Sequence, residues 1–439
     1  MPVVTLSMHE ALFRYIIDTG DKGEKFKKVV SNAFFITIIG VIFFALICTI
    51  IYLTVPKLNN IMYVFAYVVA NALYTFFNNL LRGLGKIKEY SIISTGKNII
   101  QLILNVLCVA VFRLGINGLL FSLCISEVIG VFIVVIISKF WKMLSINIIS
   151  KAEIKPMLKY SIPLIPNNLG AQIINISDRL IISKFMGASA NGIYSVSYKF
   201  PNIIETVYHF FYMAWSESAS RIINNTKEKV NEYYQSLYDI INNFIFSIIL
   251  LMTAGMPIIF KIFVKGNYAS GFIYVPILLL AMYFDCIAKF YSGIYTALKK
   301  TKIMATSTVI AAIINVMVNI IFIKVWGLYA AAISTLIAEF LLMIIRKKCI
   351  NKDINIKLNI KRIISETLIF IIIVIIYDYS NYIKLGISIL IALSYSIVSN
   401  RNMIKTMIRK IKNKREGVEK KWTIYIIRQK LSLKMPVMF

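Results

Sequence analysis

Apolar residues in this chain come in long runs, broken by short polar stretches in which lysine and arginine collect. Runs long enough to cross about 30 Å of hydrocarbon, at roughly 20 residues each, fall near residues 31–54, 61–81, 90–112, 116–138, 160–183, 188–212, 237–260, 270–297, 303–325, 327–345, 362–378 and 382–399. None alternates with period two, and backbone groups in lipid must be satisfied within their own segment. The pattern therefore predicts an all-α polytopic membrane protein of about twelve spanning helices.

The runs repeat. RGLGKIKEYS from Arg82 aligns with TALKKTKIMA from Thr296, pairing Leu84 with Leu298, Lys86 with Lys300, Lys88 with Lys302 and, further on, Asn105 with Asn319. After a two-residue gap Gly115 pairs with Gly327, Ser122 with Ser334 and Glu127 with Glu339. Self-similarity of this kind marks a duplicated design. It divides the chain into a first lobe over 1–150 with about four spans, a second lobe over 151–350 with about six, two extra spans in 351–399 and a basic tail over 400–439. HEALFRYIIDT near the N-terminus also pairs Glu10 with Glu217 and Arg14 with Arg221. Two helices precede Glu217 in the second lobe, so this alignment predicts that the first lobe lacks its opening helix pair.

Composition agrees with the pattern. The chain of 439 residues is 59% hydrophobic with a mean hydropathy of +0.75, and 16% of it is charged, against roughly a quarter in soluble domains. The net charge of +29 would suit nucleic acid only as a basic face on a folded module, whereas these cations sit between apolar runs; the partner they indicate is the anionic inner surface of a phospholipid membrane. With the N-terminus inside, the inner segments collect groups such as Arg82, Lys86 and Lys88, Lys299, Lys300 and Lys302, and Arg346, Lys347 and Lys348, together with the tail from Arg401 to Lys434. The outer loops hold only Lys57, Arg113, Lys184, Lys261, Lys265, Lys324 and Lys384. This bias predicts cytoplasmic termini. The tail reads as an anchor on the inner surface or an amphipathic helix lying there. Cys48, Cys108, Cys124, Cys286 and Cys349 form no CxxC pair and read as small buried hydrophobes, with no disulfide and no metal. Residues 1–30 contain Glu10, Asp18, Asp21 and Glu24 where a signal peptide would have its apolar core.

Motifs for catalysis are absent. There is no glycine-rich phosphate loop, the outer connections are short, and His9 and His209 have no metal-ligand spacing. The reading is a non-enzyme without a cofactor, apart from a coupling ion such as H+ or Na+. Ionisable groups inside hydrocarbon are costly and by default mark a transport path. They concentrate between Tyr160 and Pro201, where Pro163, Pro166, Asn167, Asn168, Asn175, Asp178, Arg179 and Lys199 interrupt two apolar runs. Pro163 and Pro166 free backbone carbonyls and predict a bend where a binding site can form. Asp178 and Arg179 are adjacent and point to different faces, so Arg179 either offers its planar fork to a phosphate or snorkels to the interface. Lys199 lies near mid-span and is expected to face a cavity. Asp285 and Lys289, four apart, are expected to pair inside the bundle. Lys97 is expected to snorkel, and the repeat-related Glu127 and Glu339 to act as lobe-stabilising acceptors, with proton coupling the alternative. Tyr194, Tyr198, Tyr208, Tyr212 and Trp215 supply aromatic faces that stack on sugar rings or merely pack.

The stretch SIPLIPNNLGAQIINISDRLIISKFMGASANGIYSVSYKFPNI, from Ser161 to Ile203, resembles the seventh and eighth helices of bacterial polysaccharide-biosynthesis flippases of the multidrug/oligosaccharidyl-lipid/polysaccharide exporter superfamily. RGLGKIKEYS and EALFRYI resemble two inner loops of the same proteins, and the likeness extends to about Lys348. The resemblance implies two MATE-like lobes around a central cavity within a fourteen-helix architecture. It further implies alternating access for an undecaprenyl-pyrophosphate-linked oligosaccharide crossing the bacterial cytoplasmic membrane, in the service of O-antigen, capsule or exopolysaccharide. A polysaccharide polymerase and its chain-length machinery are the implied protein partners. Cationic cavity residues then hold pyrophosphate and glycan, and Arg179, Lys199, Asp178, Asn175 and Arg14 are the positions that suit the role. Three rivals stand beside this reading: a cation-coupled exporter of organic cations from the sister branch, a membrane-embedded glycan polymerase or acyltransferase, and an N-terminally truncated inactive product.

Overall fold

The computed structural model describes residues 2–19, 23–54, 61–145, 149–223, 225–377, 381–406 and 409; most of the basic tail lies outside the described residues. A short amphipathic helix, α1 (Met8–Thr19), buries Met8, Ala11, Leu12 and Ile16 and is followed by α2 (Glu24–Thr54), α3 (Ile61–Gly83), α4 (Ile87–Asn105) and α5 (Gly115–Ser138). A π-helical turn over Val106–Val111 extends α4. Next comes α6 (Lys151–Ser161), capped by the Ser150 hydroxyl, which accepts from the Ala152 amide at 3.3 Å. Pro163 then ends the helical path, and Pro166 falls in the first turn of the next helix, where a missing N–H costs nothing. The expected bend is thus a two-residue interruption in which Ile162 and Pro163 keep right-handed helical angles.

Beyond it, α7 (Leu164–Ile222) runs for 59 residues but folds back at Gly187, whose φ of 88° and ψ of 175° are closed to residues with a side chain. Its two limbs are antiparallel: Asn191 bonds Ser183 (2.8 Å), Tyr194 bonds Asp178 (2.8 Å) and Tyr198 bonds Asn175 (2.8 Å). The chain continues through α8 (Lys227–Phe263), α9 (Val275–Ala297), α10 (Thr301–Trp326), α11 (Leu328–Ile350), α12 (Ile360–Ile375) and α13 (Tyr382–Ser399).

All twelve expected spans are present as helices. Among the described residues nine helices are long and apolar enough by themselves to cross a membrane. The others are the two limbs of α7, which carry the amides and charges singled out above, and α12, with 16 residues. Ser122 of α5 donates to Asn105 of α4; in the second lobe Ser334, aligned with Ser122, accepts instead from Asn315 of α10 (3.4 Å), one turn before Asn319, the residue aligned with Asn105.

The lobes meet where α1, the end of α3, the end of α7 and the α9–α10 turn converge. Arg14, buried in α1, donates to the Ala297 carbonyl at 2.7 Å and pairs with Asp18, which also takes Lys299 at 2.5 Å. Burial pulls the Asp18 carboxyl upward, yet the bonds from Lys299 and Arg14 outweigh it and hold its pKa below the usual value. Arg82 of α3 reaches Ser216 at 2.5 Å and lies over the Phe13 ring, and Lys299 lies over Tyr15. Asn168 of α7 donates to Glu10 at 3.2 Å. These contacts shut one end of the space between the lobes.

Close to this end Gly293 of α9 gives way to the rings of Trp215 and Tyr212, and a β-carbon there would overlap both. Because neither ring can swing aside within the packed bundle, Gly293→Ala is expected to cost about 1–3 kcal/mol through overpacking. A lower melting temperature of the purified protein checks this, and an unchanged one refutes it.

Candidate functional site

Helical spacing brings one polar face from each of four elements to a common cavity of about 740 Å³. The first limb of α7 presents Asn168, Gln172 and Asn175; the second presents Tyr198, Asn202, Glu205, His209 and Tyr212. From α9 come Asp285, Lys289, Ser292 and Thr296, and from α11 Thr335, Glu339, Leu342 and Arg346. Steps of three and four keep each set on a single stripe. Asn167, Thr308 and Glu10 complete the wall near the closed end.

Arg346 is 3% exposed and donates five hydrogen bonds, to Ser307 (3.1 Å), the Ala288 carbonyl (3.1 Å), Ser292 (2.6 Å), Asn167 (3.0 Å) and Thr308 (2.8 Å). It therefore fastens α11 to α7, α9 and α10 through neutral acceptors. Lys289 bridges two carboxylates, Asp285 at 2.7 Å and Glu205 at 2.6 Å. Glu339 is 9% exposed, its Oε2 is enclosed without a hydrogen-bond partner, and no ion pair reaches it among the described residues. A buried carboxylate left uncompensated is expensive unless a proton or a cation joins it.

Behind the cavity wall sits a second polar cluster. Asp178, 2% exposed, accepts from Asn319 (2.7 Å), Tyr194 (2.8 Å) and Thr335 (2.7 Å). The Thr335 hydroxyl also lies 3.0 Å from the Ala331 carbonyl, and the amide oxygen of Asn319 is buried without a partner. The group is thus a carboxylate held by three neutral donors, the Tyr194 and Thr335 hydroxyls and the Asn319 amide N–H.

The residues expected to line the site separate into three groups. Asn175 is on the cavity wall. Arg179 stands one turn beyond Asn175 on the same helix face, exposed and just past the lining. Lys199, expected to face the cavity, is exposed one residue from Tyr198 and about 100° around the helix from the centre of the lining stripe, so it does not line the cavity. Asp178 faces into the second lobe, and Arg14 is committed to the closed end. Asp285 and Lys289 pair as expected, with Glu205 as an added partner.

Two expectations need correction. Lys97 does not snorkel: it is 11% exposed and its ammonium meets Glu127 at 2.7 Å over the Tyr74 ring, because the carboxylate, itself 2% exposed, needs a counter-charge inside the lobe. Arg346, counted with the inner basic cluster, is instead a buried wall residue. Its signal was available in its position seven residues after Glu339 on the same helical stripe and in being an arginine beside two lysines.

Residues 3–216 match the family model described as polysaccharide biosynthesis protein. An uncharacterized membrane protein of Methanocaldococcus jannaschii is 26% identical over 313 residues, covering 67% of this chain and 72% of that one. The fold is similar to that of the Vibrio cholerae MATE transporter VcmN in its bent form, with a TM-score of 0.64 at 15% identity over 80% of this chain and 84% of that one. A superfamily transporter from Pyrococcus furiosus, described as having a binding pocket of reversed polarity, gives a TM-score of 0.64 at 13% identity over 78% and 81%.

The Lys97–Glu127 pair makes a direct stability prediction. Lys97→Met strands a buried carboxylate and should destabilise the protein by about 3–5 kcal/mol, whereas Lys97→Met with Glu127→Leu should recover most of the loss. Thermal unfolding of the three proteins decides it. Equal melting temperatures would show that the pair carries no such coupling.

Proposed function

We propose that this member of the polysaccharide-biosynthesis family, MATE-like in fold, flips an undecaprenyl-pyrophosphate-linked oligosaccharide across the bacterial cytoplasmic membrane, both termini facing the cytoplasm. The observation that carries this reading is the lining of the cavity by Asn167, Asn168, Gln172, Asn175 and Asn202 with Tyr198 and Tyr212. Gln172 and Asn202 each set a donor beside an acceptor, which suits neighbouring sugar hydroxyls. Asn167, Asn168 and Asn175 are already held by Arg346, Glu10 and Tyr198, and the tyrosines add flat faces for the rings. A volume of about 740 Å³ falls within the usual range for ligand pockets, about 300–1,000 Å³. Arg179 and Lys199 flank the cavity on the side away from the closed end, where cations meet a pyrophosphate. The closed end, with its Asp18–Lys299 and Arg82–Ser216 contacts, is then the cytoplasmic gate of an outward-facing state. Transport needs those contacts to break as the lobes rock, and no covalent bond changes.

The Asp178 cluster suits a coupling ion. Turned from donating to Asp178, the Tyr194 and Thr335 hydroxyls and the unpartnered Asn319 amide oxygen would join the carboxylate as hard oxygen ligands, a set that fits Na+ better than a softer or doubly charged metal. A bound ion would add a positive charge beside the buried carboxylate.

A second reading, export of organic cations, rests on the carboxylates Glu10, Glu205, Asp285 and Glu339 in the cavity, which outnumber Lys289 and Arg346. It requires that expressing cells gain resistance to such compounds.

Two experiments test these assignments. In a deletion strain complemented with the double variant Arg179→Gln and Lys199→Gln, surface-glycan export should fall about tenfold or more, the scale of a lost charge-assisted contact; unchanged export removes the two cations from the site. For the ion, the melting temperature of the wild-type protein should rise in NaCl relative to choline chloride by mass action, and Asp178→Asn should abolish the rise. A sodium response that survives the substitution places the ion elsewhere.

A further inference from the structure

The internal repeat relates Glu339 to a carboxylate whose partner is visible. In the first lobe Glu127 accepts from Asn71 at 3.0 Å and from the Lys97 ammonium at 2.7 Å, with that ammonium 4.7 Å from the centre of the Tyr74 ring. The register that pairs Lys86 with Lys300 carries Asn71 to Asp285 and Lys97 to Ala311, and the register beyond the gap carries Glu127 to Glu339. The second lobe thus keeps the carboxylate, replaces its amide neighbour with a second carboxylate and replaces the ammonium with a methyl group.

Lys289 and Arg346 act on Glu339 through space, but neither bonds it. Lys289 is divided between Asp285 and Glu205, and the nitrogens of Arg346 are engaged by neutral acceptors. Glu339 is more than nine-tenths buried, one carboxylate oxygen is enclosed without a partner, and the residue borders the cavity. Tyr198 and Tyr212 border the same space, so aromatic faces of the kind that Tyr74 offers Lys97 are at hand. The first lobe supplies its cation from its own chain. The second leaves that cation to whatever enters the cavity.

We propose that Glu339 binds a primary ammonium group, carried into the cavity by an amino sugar of the transported glycan. This rests on the flippase reading and narrows its substrate to glycans bearing a free amine. Glu339 is then a specificity residue: an N-acetylated sugar of the same shape offers no charge and leaves the carboxylate unpaired.

The test uses the full chain in lipid nanodiscs, with glucosamine, N-acetylglucosamine and ethylammonium chloride as probes and calorimetric titration as readout. The wild-type protein should bind glucosamine about tenfold or more tightly than N-acetylglucosamine, as expected for a charge-assisted contact. Glu339→Gln should remove that preference, and Glu339→Asp should restore part of it. Equal binding of the two sugars by the wild-type protein overturns the ammonium site alone and leaves the flippase reading intact. Ethylammonium binding without any sugar binding overturns both, in favour of small organic cations. Retained preference in Glu339→Gln also overturns the assignment, as does a proton taken up by Glu339 on titration with no discrimination between the sugars.

Discussion

A charge or an amide inside hydrocarbon has no water to fall back on, and the architecture follows from how each such group is compensated. In the first lobe Lys97 and Glu127 neutralise each other while Asn71 adds a further bond. In the second lobe Arg346 spreads five hydrogen bonds over α7, α9 and α10, so one side chain stitches together three helices that the hydrophobic effect could not orient, since lipid is as apolar as their surfaces. Even so, Glu127 keeps its second carboxylate oxygen without a partner inside the first lobe, whereas in the second lobe the unpartnered oxygens of Glu339 and Asn319 lie on the cavity and in the cluster just behind it.

The same accounting separates gate from scaffold. One apolar core runs through both lobes, from Met8, Leu12 and Leu80 to Tyr208, Trp215 and Phe290, and at the closed end charged and hydrogen-bonded contacts are added to it: Arg14 to the Ala297 carbonyl, Lys299 to Asp18 and Arg82 to Ser216. Of these, the Asp18–Lys299 pair is partly exposed and can exchange for water at modest cost. Arg14, 3% exposed, cannot.

Much of this was legible from the residues. Twelve spans, the duplication and the concentration of polar groups between Tyr160 and Pro201 follow from run length, internal alignment and the cost of burying polarity. The cavity face was only half legible. Asn175 could be placed on it, but Arg179 stands a turn beyond it, Lys199 is rotated off it and Asp178 turns inward, because hydropathy fixes depth and leaves rotation about the helix axis to packing. Lys97 was misread for a related reason. Its depth near the helix end permits snorkelling, and only the tertiary approach of Glu127 decides against it. Arg346 was hidden by its neighbours, since Lys347 and Lys348 make the segment look like an ordinary inner loop although α11 continues through all three.

The two lobes also differ in what they carry. Glu366 of α12, 3% exposed, accepts from Asn242 of α8 (2.9 Å), from Tyr395 of α13 (2.6 Å) and from Arg362 (2.8 Å), and Tyr283 of α9 bonds Asn242 in turn at 2.5 Å. Separating α12 and α13 from the second lobe would cost Glu366 its bond from Asn242, while Arg362 and Tyr395, on α12 and α13 themselves, would stay with it. The extra helices are thus tied to α8, and through Asn242 and Tyr283 to α9, by a buried hydrogen-bonded link. That makes the second lobe the heavier body, and it holds both the uncompensated Glu339 and the Asp178 cluster. The first lobe, with its internal Lys97 counter-charge, meets it as a wall that needs nothing from the cavity to stay neutral.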